Sequence, residues 1–306
     1  MGTMELNQLA TERGRFLRRI YNKAIEVQEL DTGFKELNKR THGGLKEGDF
    51  VVIGARPFMG GDTFICNLVY NLAACNELLG RLLFFSSNMD NGTVTDKMIC
   101  KLSGVSSWIM RNELFKEDDI SRINCAVDKL SKLSITIDDT THTTIAALTL
   151  QMRKAMNQQP LDAILIDDLD MLLPYNRSSS DYEQKLDETT HGLRELAREL
   201  KIPIIVGVKL PDHDDSKKID PKPNLADIQQ YGSLEKDASI IAFLHRPSYY
   251  KNVFEVCDEL DEVKDNIFEL IIEKSIHGSM GTEEIYFDSD KQGFMSLEEN
   301  SDFDCA

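Results

Sequence analysis

The chain has 306 residues, 41% of them hydrophobic and 28% charged, with a formal net charge of -17. That composition supports a sizeable buried core and excludes a wholly disordered or fibrous chain. The acidic balance argues against a protein that works mainly by gripping nucleic-acid phosphates, because a basic field supplies much of that affinity.

Residues 4 to 29 read as one amphipathic helix, with Leu9, Phe16, Leu17, Ile20, Tyr21, Ala24, Ile25 and Val27 mostly at helical spacings. Its segment "ERGRFLRRIYNK" is basic, whereas "FEVCDELDEVKD" and the tail "SLEENSDFD" are acidic. A lone helix cannot bury its apolar stripe, so this one is expected to pack on its own domain or on a neighbouring molecule. The opening "MGTMELNQLATERGRF" carries no apolar leader and no run of about 18 apolar residues follows, so the expected location is cytoplasmic.

From residue 31 the pattern changes to apolar runs alternating with helical stretches. "FVVIG" (50 to 54), "RLLFFSS" (81 to 87), "SITIDD" (134 to 139), "LDAILIDD" (161 to 168) and "IPIIVGV" (202 to 208) are nearly continuous apolar runs. Such runs predict strands buried on both faces. Helices are expected at 63 to 79, 91 to 103, 117 to 133, 143 to 157 and 181 to 200. The alternation predicts an α/β fold with a mostly parallel sheet flanked by helices on both sides. After the polar, proline-bearing "KLPDHDDSKKIDPKPN", the runs "SIIAFLHR", "IFELIIEKS" and "TEEIYF" predict three more strands that extend the same sheet at its edge. The implied organisation is a helix over 1–30, an α/β domain over 31–295 and an acidic tail over 296–306.

The cysteines (Cys66, Cys75, Cys100, Cys125, Cys257 and Cys305) form no C-x-x-C pair and are expected to be reduced, buried thiols without a structural zinc. His213, Asp214 and Asp215 could be read as a metal cluster, although a solvated loop explains them as well. The segment "YYKNVFEVCDELDEVKD" sets Phe254, Val256, Cys257, Leu260 and Val263 against an acidic face. It reads either as a partner-binding helix or as a plain surface one.

Ligands of an open parallel sheet sit at the carboxyl ends of its strands. After the first run comes "ARPFMGGDTF", which has the outline of a phosphate loop: Gly60 keeps the turn, but Gly61 stands at the lysine position, Asp62 at the hydroxyl position, and Thr63 one place too late. The site has thus lost one positive and gained one negative charge, each worth on the order of 4 kcal/mol at about 4 Å and an effective dielectric near 20. Asp62 is also a good helix N-cap, and a glycine pair is also an ordinary turn. Asp167, closing the buried run "AILIDD", stands where a P-loop ATPase orients magnesium.

Several stretches together carry a specific resemblance. "TGFKELNKRTHGGLKEGDFVVIGARPFMGGDTFICNLVYNLA", "ILIDDLDML", "LRELARELKIPIIVGVKL", "SLEKDASIIAFLHR" and "IIEKSIHGSMGT" are similar, in order and spacing, to the RecA-like motor domain of DnaB-type replicative helicases. The resemblance spans residues 31 to 290 and implies a RecA-like P-loop NTPase fold, preceded by the linker helix that docks on the next subunit of a ring. The family's amino-terminal collar domain has no counterpart here.

The resemblance also implies roles. The phosphate- and magnesium-binding lysine and threonine are matched by Gly61 and Asp62, within a nucleotide-binding stretch Gly60, Gly61, Asp62 and Thr63. The glutamate that activates water is matched by Asn88, an amide that accepts no proton at neutral pH. Lys209 matches the γ-phosphate-sensing glutamine, Lys274 keeps the trans-acting lysine, and Ile276 replaces the arginine finger. In the DNA-contacting loop, Gln229 and Gln230 replace an arginine and a glutamate, Gly232 is retained, and Asp212, Asp214, Asp215 and Asp220 outnumber Lys217, Lys218 and Lys222 nearby.

The leading expectation is a hydrolysis-deficient domain that binds a protein partner or its own copies through the amino-terminal helix and the ring faces. Mg-ATP would bind only if the site is functional, with Asp167 as magnesium ligand. The alternatives are a divergent but active helicase, with Thr63, Asp167, Lys209 and Lys274 forming a site, and a nucleic-acid-binding module built on Arg13, Arg15, Arg18 and Arg19.

Overall fold

The computed structural model describes residues 29–76, 80–173, 182–212, 222–251 and 266–297, together with seven residues of the preceding segment. Those seven, Leu6, Ala10, Thr11, Gly14, Arg15, Arg18 and Tyr21, are helical, and all except Gly14 are exposed. The remainder of the predicted apolar stripe lies outside the described residues. So do His213, Asp214 and Asp215, the acidic segment at 252–265 and the tail beyond 297.

Nine strands form one sheet in the order β3-β2-β4-β5-β1-β6-β7-β8-β9. These are β1 (Phe50–Ala55), β2 (Leu82–Phe85), β3 (Ile135–Asp138), β4 (Ala163–Ile166), β5 (Ile204–Lys209), β6 (Ile240–His245), β7 (Ile267–Ser275), β8 (Gly281–Asp288) and β9 (Gly293–Ser296). The first six run parallel, and β7, β8 and β9 add to the edge by antiparallel pairing. The α/β architecture expected from the alternating pattern is therefore present. Strand β9 is an addition: four residues beside an acidic tail give too short a pattern to read.

Among the described residues the helices are α1 (Lys35–Thr41), α2 (Gly61–Cys75), α3 (Asn91–Ser103), α4 (Ser107–Arg111), α5 (Glu117–Leu130), α6 (Ile145–Gln158), α7 (Tyr182–Leu200), α8 (Leu234–Asp237) and α9 (Pro247–Lys251). None is long and apolar enough to cross a membrane.

The central strands are apolar throughout because both sheet faces are covered, and successive side chains point to opposite sides. Val51, Ile53, Phe84 and Leu165 join one core with Phe64, Ile65, Leu68 and Leu72 of α2. Val52, Phe85, Ile164 and Val206 join the other with Leu148 of α6 and Leu193 of α7. Strand β3 departs from the prediction of full burial. It pairs only with β2, at the sheet edge, and none of its four residues is buried. The cysteines depart too: Cys66 and Cys100 are buried, but Cys75 and Cys125 are exposed. Burial pushes the Cys66 thiol up to about 12, so it is inert at neutral pH.

Gly207 of β5 sets how closely this strand approaches β4. A Cβ there would overlap the Asp167 carbonyl oxygen and lie 2.5 Å from Ile65. Gly207→Ala is therefore expected to destabilise the protein by about 1–3 kcal/mol, the usual cost of overpacking. Urea unfolding measures it, and an unchanged midpoint would show that the strands separate freely.

Candidate phosphate-loop site

The carboxyl ends of β2, β4, β5 and β1 lie side by side because these strands are parallel neighbours. The segments leaving them build one cavity of 620 Å³, lined by Arg56, Gly60, Gly61, Asp62, Thr63, Lys97, Asp167, Lys209 and Gln292 among others.

The glycine loop keeps its turn. Gly60 has φ 73°, a left-handed conformation that glycine adopts at little cost, and α2 starts at the next residue. Phe58 also has positive φ, 64°, which is strained for a bulky side chain, and it points outward at 83% exposure. The N-cap of α2 is Gly60, so Asp62 does not cap the helix as expected from its type; it sits in the first turn with its carboxylate in the cavity. Gly61 is packed tightly, since a Cβ there would lie 2.8 Å from that of Ala55.

Asp62 and Lys209, which line the cavity, form one connected polar network with Asn88 and Asp168. The Asn88 amide donates to Asp62 Oδ1 at 3.3 Å and to Asp168 Oδ2 at 3.5 Å, while its Oδ1 accepts from Lys209 Nζ at 3.0 Å. Lys209 also pairs with the buried Asp168 at 2.5 Å. Burial alone would lower the Lys209 ammonium, but the hydrogen bond and charge of Asp168, with Asp62 and Asp170, raise it.

Burial raises the pKa of Asp62, and the charges of Asp167 and Asp168 add to the rise; Lys209 and Asn88 oppose it. A raised carboxyl binds its proton more tightly in the folded chain than in the unfolded one. Stability is therefore lost as pH climbs from the usual carboxylate range through the folded value. Ionised Asp62 is thus destabilising at pH 7. Asp62→Asn is expected to raise the melting temperature at pH 7 by roughly 2 °C, with the gain shrinking toward pH 4. A lower melting temperature at pH 7 would contradict this.

Asp167 is 3% exposed, and each carboxylate oxygen accepts two hydrogen bonds. Oδ1 takes the Ser87 N–H and hydroxyl, both at 2.9 Å, and Oδ2 takes the Ser86 hydroxyl at 3.1 Å and the Asn88 N–H at 2.9 Å. Its charge holds the turn after β2. Thr63 Oγ1, the nearest hydroxyl to the loop position, accepts from Lys97 Nζ at 2.9 Å. Magnesium prefers carboxylate, hydroxyl or phosphate oxygens in an octahedron. Here Asp167 is saturated, Asp168 holds Lys209, and two ammonium groups line the cavity. The donor set does not fit the ion. Among the described residues no group of three or more His, Cys, Asp or Glu is placed to hold a metal.

Thr63, Asp167 and Lys209 line one cavity, and Lys274 is not among its lining residues. Lys274 pairs with Ile241, and Ile241 with Val52, well before the carboxyl end of β1 where the glycine loop leaves. Its Nζ donates to the Glu235 carbonyl at 2.6 Å and the Lys236 carbonyl at 3.3 Å. Ile276 follows at that same end of the sheet, 60% exposed. Within one chain, Lys274 therefore stands apart from the glycine-loop cavity, because its register carries it away from the loop.

The short 3-10 helix Leu225–Tyr231 carries Gln229 and Gln230, with Gly232 (φ 58°) after it. Gln229 is exposed. Gln230 instead donates to the Lys209 carbonyl at 3.1 Å, beside the Tyr231 hydroxyl at 3.0 Å, and Arg56 pairs with Asp227 at 3.2 Å. This segment is therefore tied to the walls of the cavity. Sequence reasoning missed Lys97, Gln292 and Arg56. Lys97 reads as one solvated position of a polar helix, and nothing in its spacing marks it as reaching the loop.

The chain matches the family model of the DnaB-like helicase C terminal domain over residues 29–296. It is 30% identical over 284 residues to the replicative DNA helicase DnaB of Geobacillus stearothermophilus, covering 92% of this chain and 60% of that protein. The replicative DNA helicase DnaC of Bacillus subtilis (strain 168) is 30% identical over 286 residues, with 94% and 60% covered. The chain thus spans about 60% of the length of these relatives. Among solved structures, one described as an ATPase domain superposes with a TM-score of 0.82 at 25% identity, covering 97% of this chain and 100% of that one. A DnaB-like replicative helicase studied with its interactions with primase gives 0.80 at 25%, covering 97% and 68%. A KaiC-like protein from Pyrococcus horikoshii OT3, at 0.55 and 13% identity, shares the fold alone, with 88% of this chain and 99% of that one covered.

Proposed function

The chain belongs to the DnaB-like helicase C-terminal domain family, and from that premise we propose that it is a degenerate member kept as a scaffold or protein-interaction module, with little or no ATP hydrolysis. The observation that carries this reading is the Asp62–Asn88–Lys209–Asp168 network. The chain's own side chains hold one another where a working site presents a lysine, a hydroxyl and a general base to phosphate, metal and water. Gly61 and Asp62 at the start of α2, Asn88 after β2 and Ile276 after β7 each remove one role.

The domain would act through its surfaces: the amino-terminal amphipathic segment and the faces by which copies of such domains meet, with a helicase or its own copies as partner. DNA would bind weakly, since Gln229 and Gln230 bring no charge. Static light scattering with and without Mg-ATP tests this reading. The expected mass is the same in both conditions, and assembly that requires Mg-ATP would contradict it.

A divergent but active ATPase is the second reading, and Lys97 is the observation that favours it, because it brings a cation to Thr63 from a different element. It would need turnover that single-stranded DNA stimulates.

A further inference from the structure

The two edges of the sheet are finished differently. At β9, the Phe294 N–H donates to Asn67 Oδ1 of α2 at 3.0 Å, and the Phe294 carbonyl accepts from Lys101 Nζ of α3 at 3.2 Å. Side chains thus seal that edge. Strand β3 pairs with β2 in parallel, and the N–H and carbonyl of successive residues turn alternately toward β2 and away from it. The Ser134 and Asp138 carbonyls face β2, each accepting at 2.8 Å from the Leu82 and Ser86 N–H respectively, so Thr136 faces β2 while Ile135 and Ile137 face outward. Among the described residues nothing bonds to the backbone N–H or carbonyl of Ile135 or Ile137. The Thr136 side chain is exposed, and a cavity of 140 Å³ lined by Arg81, Ser134, Ile135, Thr136 and Gln159, among others, opens beside the strand.

An open edge is a template for another strand. This one is complementary to itself. Set antiparallel about a two-fold axis at Thr136, the same strand of a second copy places Ile135 opposite Ile137 on either side of the axis. Each such pair exchanges two N–H to carbonyl bonds, so the outward groups of both residues are satisfied. Thr136 meets its own counterpart, a favourable cross-strand pair. The one charged residue of the strand, Asp138, falls opposite Ser134 of the second copy, at the cavity that carries the Arg81 guanidinium, and not opposite another acid.

We infer that β3 is a self-association edge, through which two copies of this chain join their sheets by antiparallel pairing. The contact is isologous, the same patch serving on both copies. It uses neither the glycine-loop cavity nor the amino-terminal segment, so it forms with or without nucleotide and stands whether or not hydrolysis is lost.

The test is sedimentation of the full chain together with cross-linking of a Thr136→Cys variant. The unmodified chain is expected to associate at tens of micromolar. Thr136→Lys sets two ammonium groups face to face and should weaken that association by at least about tenfold. Ile137→Pro removes an outward donor without touching the β2 ladder and should weaken it as well. Both variants should melt near the parent temperature. Opposed residues of this kind lie within disulfide reach, so diamide should link the Thr136→Cys protein into a covalent dimer much faster than the parent, whose exposed Cys75 and Cys125 set the background. Cross-linking reads the contact even where other faces build a larger assembly. A monomeric parent chain at these concentrations, unchanged association in a folded Thr136→Lys protein, or a Thr136→Cys dimer forming no faster than background would overturn the inference.

Discussion

Asp167→Ala is expected to cost roughly 3 kcal/mol of stability, and to cost the same with or without magnesium. The carboxylate accepts four hydrogen bonds from Ser86, Ser87 and Asn88. Truncating it takes the acceptor from the Ser87 N–H, the Ser87 hydroxyl and the Asn88 N–H near the sheet, while the Ser86 hydroxyl keeps the Met89 carbonyl at 2.9 Å. Asp167→Asn should lose less, since one amide oxygen still accepts. Were Asp167 chiefly a metal ligand, its removal would relieve charge repulsion on Asp62 and spare the fold. Urea unfolding of the three proteins separates the two roles; a loss below about 1 kcal/mol for the alanine variant would return Asp167 to the metal.

Restoring the loop in Gly61→Lys/Asp62→Thr is expected not to restore hydrolysis. The new lysine enters a position where a Cβ meets Ala55 at 2.8 Å, so the loop must first open. Beyond the loop, Asn88 still accepts no proton and Ile276 still offers no charge to a neighbouring copy. A positioned general base is worth about 10²–10⁴ in rate and an arginine finger about 10³–10⁵. Steady-state phosphate release by the double variant should stay at background. Turnover gained from the two loop changes alone would show that the rest of the site had remained competent.

The fold was legible in the sequence to the extent that burial leaves an apolar run. Phe50–Ala55, Ala163–Ile166 and the first five residues of β5, 204–208, are buried on both faces, and their runs announce them. Ile135–Asp138 instead alternates Ile135 and Ile137 with Thr136 and Asp138, the pattern of a strand that is not covered on both faces, and it pairs on one side only. At the site, motif position located Gly60, Gly61, Asp62, Asp167 and Lys209 on one cavity, with Asn88 hydrogen-bonded to two of them, because the carboxyl ends of neighbouring parallel strands lie side by side. What they do to one another was not legible: that Asp167 holds the Ser86–Asn88 turn, and that Lys209 bonds Asp168, depend on side-chain directions. Lys274 illustrates the limit in the other direction, since its motif survives but its register with Ile241 takes it to the other end of the sheet. Lys97 left no signal, because its approach to Thr63 is set by how α3 packs on α2.

Phosphate release from Mg-ATP by the purified chain, with and without single-stranded DNA, tests most directly whether the phosphate loop has kept its shape and lost its hydrolytic chemistry. The predicted result is a rate indistinguishable from buffer in both cases; a robust rate that DNA accelerates would contradict it.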